Sequence, residues 1–163
     1  VLLPGKIWAR RNSKSLIFEK KSVSSGRRRR FFYLLKALGE VVIEDMAASF
    51  NLSTVLGNKF DMRKKAFTGP GYLEFFDFDK IKFPILIRLK KPGDKLTPLG
   101  MNKEKRLQNI FVDEKVPFED RSSIPILVSK GKIVWVAGIK LSDEFKVTKK
   151  TTKMLKIEYQ KLE

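Results

Sequence analysis

Apolar and polar positions alternate with a period of two through much of the chain, which predicts strands more often than helices. Residues 6–10 and 15–20 read as a short strand pair joined through Asn12-Ser13. Residues 40–44 form another short strand. From Ala48 to Leu56 the alternation is regular, with Phe50, Leu52 and Leu56 expected on a dry face and Ser49, Asn51 and Ser53 on a wet one. A loop over 58–70 leads to an aromatic-rich strand over 72–78.

The second half is sharper. Residues 84–90 set Ile85, Ile87 and Leu89 against Leu86, Arg88 and Lys90, so two cations are expected on the polar side of a half-buried strand. Pro92-Gly93-Asp94 turns the chain. Asn102 is placed to cap a helix reaching about Glu114, whose apolar face is Leu107, Ile110 and Phe111. Pro117 follows. Residues 124–129 and 132–137 form a hairpin across Lys130-Gly131, its second strand too continuously apolar to have a solvent face. Many strands and one good helix make the fold class α+β and β-rich.

With 163 residues and 42 % apolar content, the chain can build a real core. Its 35 Lys and Arg against 18 Asp and Glu give a net charge of +17, a field that attracts a polyanion. The excess is uneven. Residues 1–30 carry ten basic groups and one acidic, 31–87 seven of each, and 88–163 eighteen and ten. This predicts a neutral packed scaffold between a basic N-terminal segment and a basic C-terminal module. We expect residues 1–30 to be a strand pair and basic linker from the end of a preceding domain, and 31–163 to be the C-terminal domain. Residues 20–30, with Arg27 to Arg30, read as a mobile solvated loop that can add sequence-independent RNA affinity. Having no Cys and no His, the chain by itself offers no disulfide, thiolate nucleophile, Ser-His-Asp triad or imidazole metal site. No stretch approaches the ~18 apolar residues of a membrane helix, and the start Val1-Leu2-Leu3-Pro4-Gly5-Lys6 has no initiator Met or charged leader. A soluble fragment is expected.

Gly-rich phosphate loops, dinucleotide fingerprints, a Ser-Gly-Gly-x-Asp-Ser loop and the RNP1 pattern are all missing from the sequence. One pattern is specific. Arg88-Leu89-Lys90-Lys91-Pro92-Gly93-Asp94-Lys95-Leu96-Thr97-Pro98-Leu99-Gly100-Met101 is followed by Lys105-Arg106-Leu107, Ile110-Phe111-Val112-Asp113, Lys115-Val116-Pro117 and Arg121. Then come Ile124-Pro125-Ile126-Leu127, Ile133-Val134-Trp135-Val136-Ala137-Gly138 and Phe145-Lys146-Val147-Thr148. In order and spacing this series resembles the C-terminal domain of bacterial tRNA(Ile)-lysidine synthetases, most strongly over 84–157, while Leu3-Pro4-Gly5 and Leu38-Gly39-Glu40-Val41 fit weakly upstream. The chain departs from that pattern at Lys90, Leu96, Arg121-Ser122-Ser123, Lys140 and Ser142-Asp143-Glu144.

The resemblance implies a compact fold shared with a phenylalanyl-tRNA synthetase beta subunit. It also implies a parent ligase that adenylates the wobble cytidine of tRNA(Ile) with a CAU anticodon, using ATP with magnesium, and lets lysine displace AMP to form lysidine. The chemistry would belong to an N-terminal ATP-pyrophosphatase domain. This chain would hold the tRNA, at the acceptor stem, in the cytoplasm, with no cofactor and no activity of its own; a homodimer is left open. A structural RNA-binding protein such as a ribosomal component would suit the same composition. Anionic-membrane binding lacks the basic amphipathic helix it needs.

The candidate tRNA-binding residues are Arg88, Lys90, Lys91, Lys105, Arg106, Lys115, Arg121 and Lys140. For Arg88, Lys90 and Lys91 the alternatives are a solvated strand face ending in a turn or phosphate contacts. For Lys105 and Arg106 they are an exposed helix face or phosphate binding aided by the helix N-terminus. Gly93 and Gly100 read as turn glycines, Asp94 as an ionised loop-capping acceptor, and Trp135 as core.

Overall fold

A computed structural model describes residues 31–57 and 71–162, together with the backbone of three N-terminal strands. Those strands, β1 (Leu2–Leu3), β2 (Ile7–Arg11) and β3 (Leu16–Lys20), pair antiparallel in the order β1-β2-β3, the β2–β3 pair being the one expected. The loops expected over 20–30 and 58–70 lie outside the described residues, apart from Lys20, which ends β3.

Alternation builds two further antiparallel sheets. A four-stranded sheet runs β5 (Gly39–Ile43), β6 (Ala48–Leu56), β14 (Lys153–Lys161) and β7 (Tyr72–Asp77). A five-stranded sheet runs β13 (Lys140–Leu141), β12 (Lys132–Val136), β11 (Ile126–Ser129), β8 (Ile85–Arg88) and β4 (Phe32–Leu35). The two sheets share one core. Phe50, Leu52, Phe76, Leu155 and Ile157 from the first pack with Leu35, Ile85, Ile87, Leu127 and Trp135 from the second. Within it Phe50 stacks on Tyr159 and Tyr159 on Tyr72, at centroid distances of 5.1 and 5.8 Å, while Trp135 meets Tyr159 edge-on.

The other face of the five-stranded sheet is also covered. A short ribbon, β9 (Lys95–Leu96) with β10 (Lys105–Arg106), leads into the helix α1 (Leu107–Asp113). Leu107, Ile110 and Phe111 pack on Ile126, Val128, Ile133 and Val136. Burial of both faces is why β12 reads as continuously apolar. Lys130 and Gly131, both with positive φ, close the β11–β12 hairpin as expected.

Several expectations are corrected. The helix does not start at Asn102. Lys105 and Arg106 are extended because they pair with β9, and the Leu107 N–H donates to the Asp94 carbonyl at 2.9 Å, filling a donor that a side-chain cap would otherwise serve. Leu56 is exposed at the end of β6, leaving Ala48, Phe50 and Leu52 as its dry face. Arg88 is buried, because the face it shares with Leu86 is turned toward α1 and not toward solvent. Besides the short strands β9, β10 and β13, two longer ones were not anticipated: β4, which borders β8, and β14, which lies between β6 and β7. The charge division at residue 87 does not follow the packing either, since β11 pairs across it with β8, which in turn pairs with β4, and β14 pairs with β6 and β7.

Candidate nucleic-acid interface

The turn between β8 and β9 is held from within. Arg88 donates from its two terminal nitrogens to the two carboxylate oxygens of Asp94, at 2.8 and 2.7 Å, and also to the Leu89 carbonyl at 3.0 Å. Asp94 further accepts the Lys91 backbone N–H at 2.7 Å, the loop-capping role expected of it. Gly93 and Gly100 adopt positive φ, as turn glycines do. Arg88 therefore shapes the turn from inside, while the adjoining cations face out. Lys91 is exposed, and Lys90 is exposed with its ammonium 6.0 Å from the centroid of the Phe111 ring.

Across the ribbon, Arg106 pairs in register with Lys95, which brings it to the same end of the module as Lys91. Arg106 is exposed and has no side-chain partner among the described residues. Lys105 beside it is half-buried and ion-paired with Asp113. Because α1 has seven residues and follows a strand, no long helix N-terminus supports these two cations.

A second group gathers where α1 ends. The Lys115 N–H donates to the Val112 carbonyl at 3.0 Å and the Val116 N–H to the Phe111 carbonyl at 2.8 Å, a Schellman closure with Lys115 in the left-handed position at φ 54°. Its side chain is exposed. Arg121 donates from Nε to the Val116 carbonyl at 2.9 Å and sits 6.0 Å from the Phe118 ring. Lys140 is ion-paired with Glu114. Thus Lys91 and Arg106 belong to the turn and ribbon that lead into α1, Lys90 reaches the Phe111 ring within it, and Lys115, Arg121 and Lys140 lie at its exit.

Phe118 was missed. It is 80 % exposed, and its signal in the sequence is a single aromatic residue set among polar and charged ones between Pro117 and Ser123. Asp143 fixes the loop that carries Leu99 and Met101. It accepts the Gly100 N–H at 2.8 Å and pairs with Lys146 at 2.9 Å, and these contacts, the Gly100 bond first, hold its carboxyl below the usual carboxylate range. Among the described residues no three acidic groups converge to hold a metal, and no helix is long and apolar enough to cross a membrane.

Residues 85–159 match the family described as the TilS substrate C-terminal domain. A tRNA(Ile)-lysidine synthase of Caldanaerobacter subterraneus subsp. tengcongensis is 38 % identical over 159 residues, 98 % of this chain and 32 % of that protein. One from Clostridium perfringens is 39 % identical over 125 residues, 74 % of this chain and 25 % of that protein. The chain therefore spans at most about a third of the length of these relatives. A crystal structure of a TilS C-terminal domain superposes with a TM-score of 0.63 at 21 % identity, covering 82 % of this chain and 99 % of that one. An N-terminal fragment of the phenylalanyl-tRNA synthetase beta subunit from Pyrococcus horikoshii gives 0.57 at 23 % identity, covering 68 % and 39 %. These two likenesses agree with the α+β fold and with the neighbour expected for it. With the motif series over 88–148, the sandwich behind it and relatives aligned along nearly the whole chain, this protein belongs to the tRNA(Ile)-lysidine synthase family, as its C-terminal region.

Proposed function

We propose that this chain holds tRNA for a parent tRNA(Ile)-lysidine synthase, grips the acceptor stem of tRNA(Ile) with a CAU anticodon, and takes no part in bond making. The observation that carries this reading is the alignment of 98 % of the chain with a lysidine synthase. The surface supports it: Lys90, Lys91, Arg106 and Lys115 are exposed cations without an anionic side-chain partner among the described residues. Such contacts position a duplex more than they read it, and stem discrimination would come through the minor groove and the 2′-hydroxyls. ATP, magnesium and lysine would be handled by the N-terminal ATP-pyrophosphatase domain of the parent, in the cytoplasm.

The test is a salt series of affinity for tRNA(Ile) with the CAU anticodon, elongator tRNA(Met) and a ribosomal RNA hairpin. Neutralising four phosphates should give a slope of log K on log salt of roughly −3. Preference for tRNA(Ile) that persists as salt rises is the expected result. Tighter binding to the ribosomal hairpin would overturn it in favour of a structural RNA-binding role.

A further inference from the structure

Positive charge also gathers where β7 ends and β14 begins, apart from the eight candidate cations. The chain enters β14 through the turn Thr148-Lys149-Lys150-Thr151, and its own threonines fix that turn. The Thr148 N–H donates to Thr151 Oγ1 at 3.0 Å, the Lys150 N–H to Thr148 Oγ1 at 3.3 Å and the Thr151 N–H to the Thr148 carbonyl at 3.0 Å. Thr151 Oγ1 donates at 2.8 Å to the carboxylate of Asp77, which is buried at the end of β7, so the turn is pinned to the core sheet. From the β7 side Lys80 donates to the Lys146 carbonyl at 3.3 Å. A turn held in this way carries Lys149 and Lys150 at its tip, both exposed and neither with an anionic side-chain partner among the described residues. Lys153, at the start of β14, has its ammonium 4.1 Å from the centroid of the Phe78 ring and likewise no carboxylate partner among the described residues. Two nearby acids are already engaged. Asp77 accepts from Thr151 and the Asp79 N–H, with Lys80 at 3.7 Å, and Asp143 accepts from Gly100 and Lys146. Against the three lysines stands the exposed carboxylate of Asp79, which leaves the positive charge in excess.

We propose that this turn is a second phosphate-binding surface for the RNA, with Lys149 and Lys150 each meeting one backbone phosphate. The inference rests on the RNA-holding role above and adds a contact surface that the cations around α1 do not provide. A lysine ammonium meets a phosphate as a compact point charge, without the planar fork that reads a base edge, so the contact positions the RNA and carries no sequence preference. Fixing the turn beforehand matters, because a loop already ordered adds no ordering cost to association. One RNA can engage both surfaces. Lys140, at the exit of α1, and Lys149 are nine residues apart in sequence. Their Cα atoms therefore lie at most about 32 Å apart, and a small RNA-binding domain can span about 16 base pairs of duplex.

The experiment measures tRNA affinity against salt for the full chain and for the double variant Lys149→Ala, Lys150→Ala. With both surfaces engaged, the slope of log K on log salt for the unmutated chain should be roughly −4 to −5, steeper than the roughly −3 of four phosphates. The double variant should lower the slope by roughly 1.4–1.8 and weaken binding roughly 25–60-fold at 0.1 M salt, the difference closing toward 1 M. Its thermal midpoint should not move, since both side chains are exposed. Lys149→Arg with Lys150→Arg, which keeps both charges, should keep the slope. Adding Arg106→Ala to the alanine pair should add the two losses in log K, as for separate contacts on one RNA. A combined loss no larger than that of the alanine pair overturns the engagement of one RNA by both surfaces. An alanine pair with unchanged slope and affinity, while Arg106→Ala still weakens binding, overturns the second surface and leaves RNA holding intact. Failure of the unmutated chain to bind tRNA overturns the RNA-holding role and this inference with it.

Discussion

Arg88 and Asp94 form a two-pronged ion pair with both side chains about nine-tenths buried, closing the turn that carries Lys90 and Lys91. Removing one partner leaves the other charge stranded against the α1 face of the sheet. Arg88→Ala should cost about 3–5 kcal/mol of unfolding free energy, read from urea denaturation. Arg88→Lys should recover part of this, since an ammonium cannot span both oxygens. Below the unfolding transition the folded protein should still bind RNA with its salt slope intact, because Arg88 does not reach the surface. A slope lowered by about one, with stability unchanged, would make Arg88 a phosphate contact instead.

The burial of Arg88 also shows where sequence reading stopped. The alternation over 84–90 identified the strand and separated its two faces correctly, yet a polar residue on one face looks solvated until the helix lying over it is known. Trp135 and the β11–β12 hairpin were legible because local chemistry decides them: a continuous apolar run and a positive-φ Gly turn. β14 was not legible. Its outward side chains Lys156 and Glu158 pair with each other at 2.7 Å, and Asn51 donates to Glu158 at 2.9 Å, so charged residues decorate the outer face of an interior strand. Of the eight candidate cations, residue type alone could not separate Arg88, Lys105 and Lys140, which have carboxylate partners, from Arg106 and Lys115, which have none among the described residues.

Arg106 is the sharpest single test of the α1 entry group. Arg106→Ala should weaken RNA binding equally across sequences and lower the salt slope by roughly 0.7–0.9, without moving the thermal midpoint. Reversing Lys105 and Arg106 together should weaken tRNA binding further. Normal tRNA binding by the folded double variant would mean that RNA docks elsewhere.

Asp143 should make its loop sensitive to acid. Its carboxyl titrates below the ordinary value of 3.8 because the Gly100 N–H and Lys146 favour the ionised form. A depressed folded-state pKa gives stability that is fully present above the unfolded value and lost as pH falls through the folded one. The Gly100 amide resonance should therefore stay constant above pH 5 and move with a midpoint under 3.8. In Asp143→Asn, which retains an acceptor but no charge, that titration should vanish. A midpoint at or above 3.8 in the unmutated chain would contradict the anchoring.

Lys115 sets stability against binding at one position. It occupies the left-handed residue of the α1 closure, where a side chain costs about 1–2 kcal/mol that glycine avoids. Glycine returns part of this through its greater freedom in the unfolded chain, roughly 0.5–1 kcal/mol. Lys115→Gly should therefore leave the unfolding free energy equal or raise it by up to about 1.5 kcal/mol. Its exposed ammonium stands beside the group of Arg121 and Lys140, so the same variant should bind tRNA more weakly and with a shallower salt slope. Lys115→Ala separates the two effects: it loses the charge but keeps the strain, and should match the glycine variant in affinity while falling below it in stability. Equal tRNA affinity in all three proteins would remove Lys115 from the interface and leave its backbone conformation without a binding role.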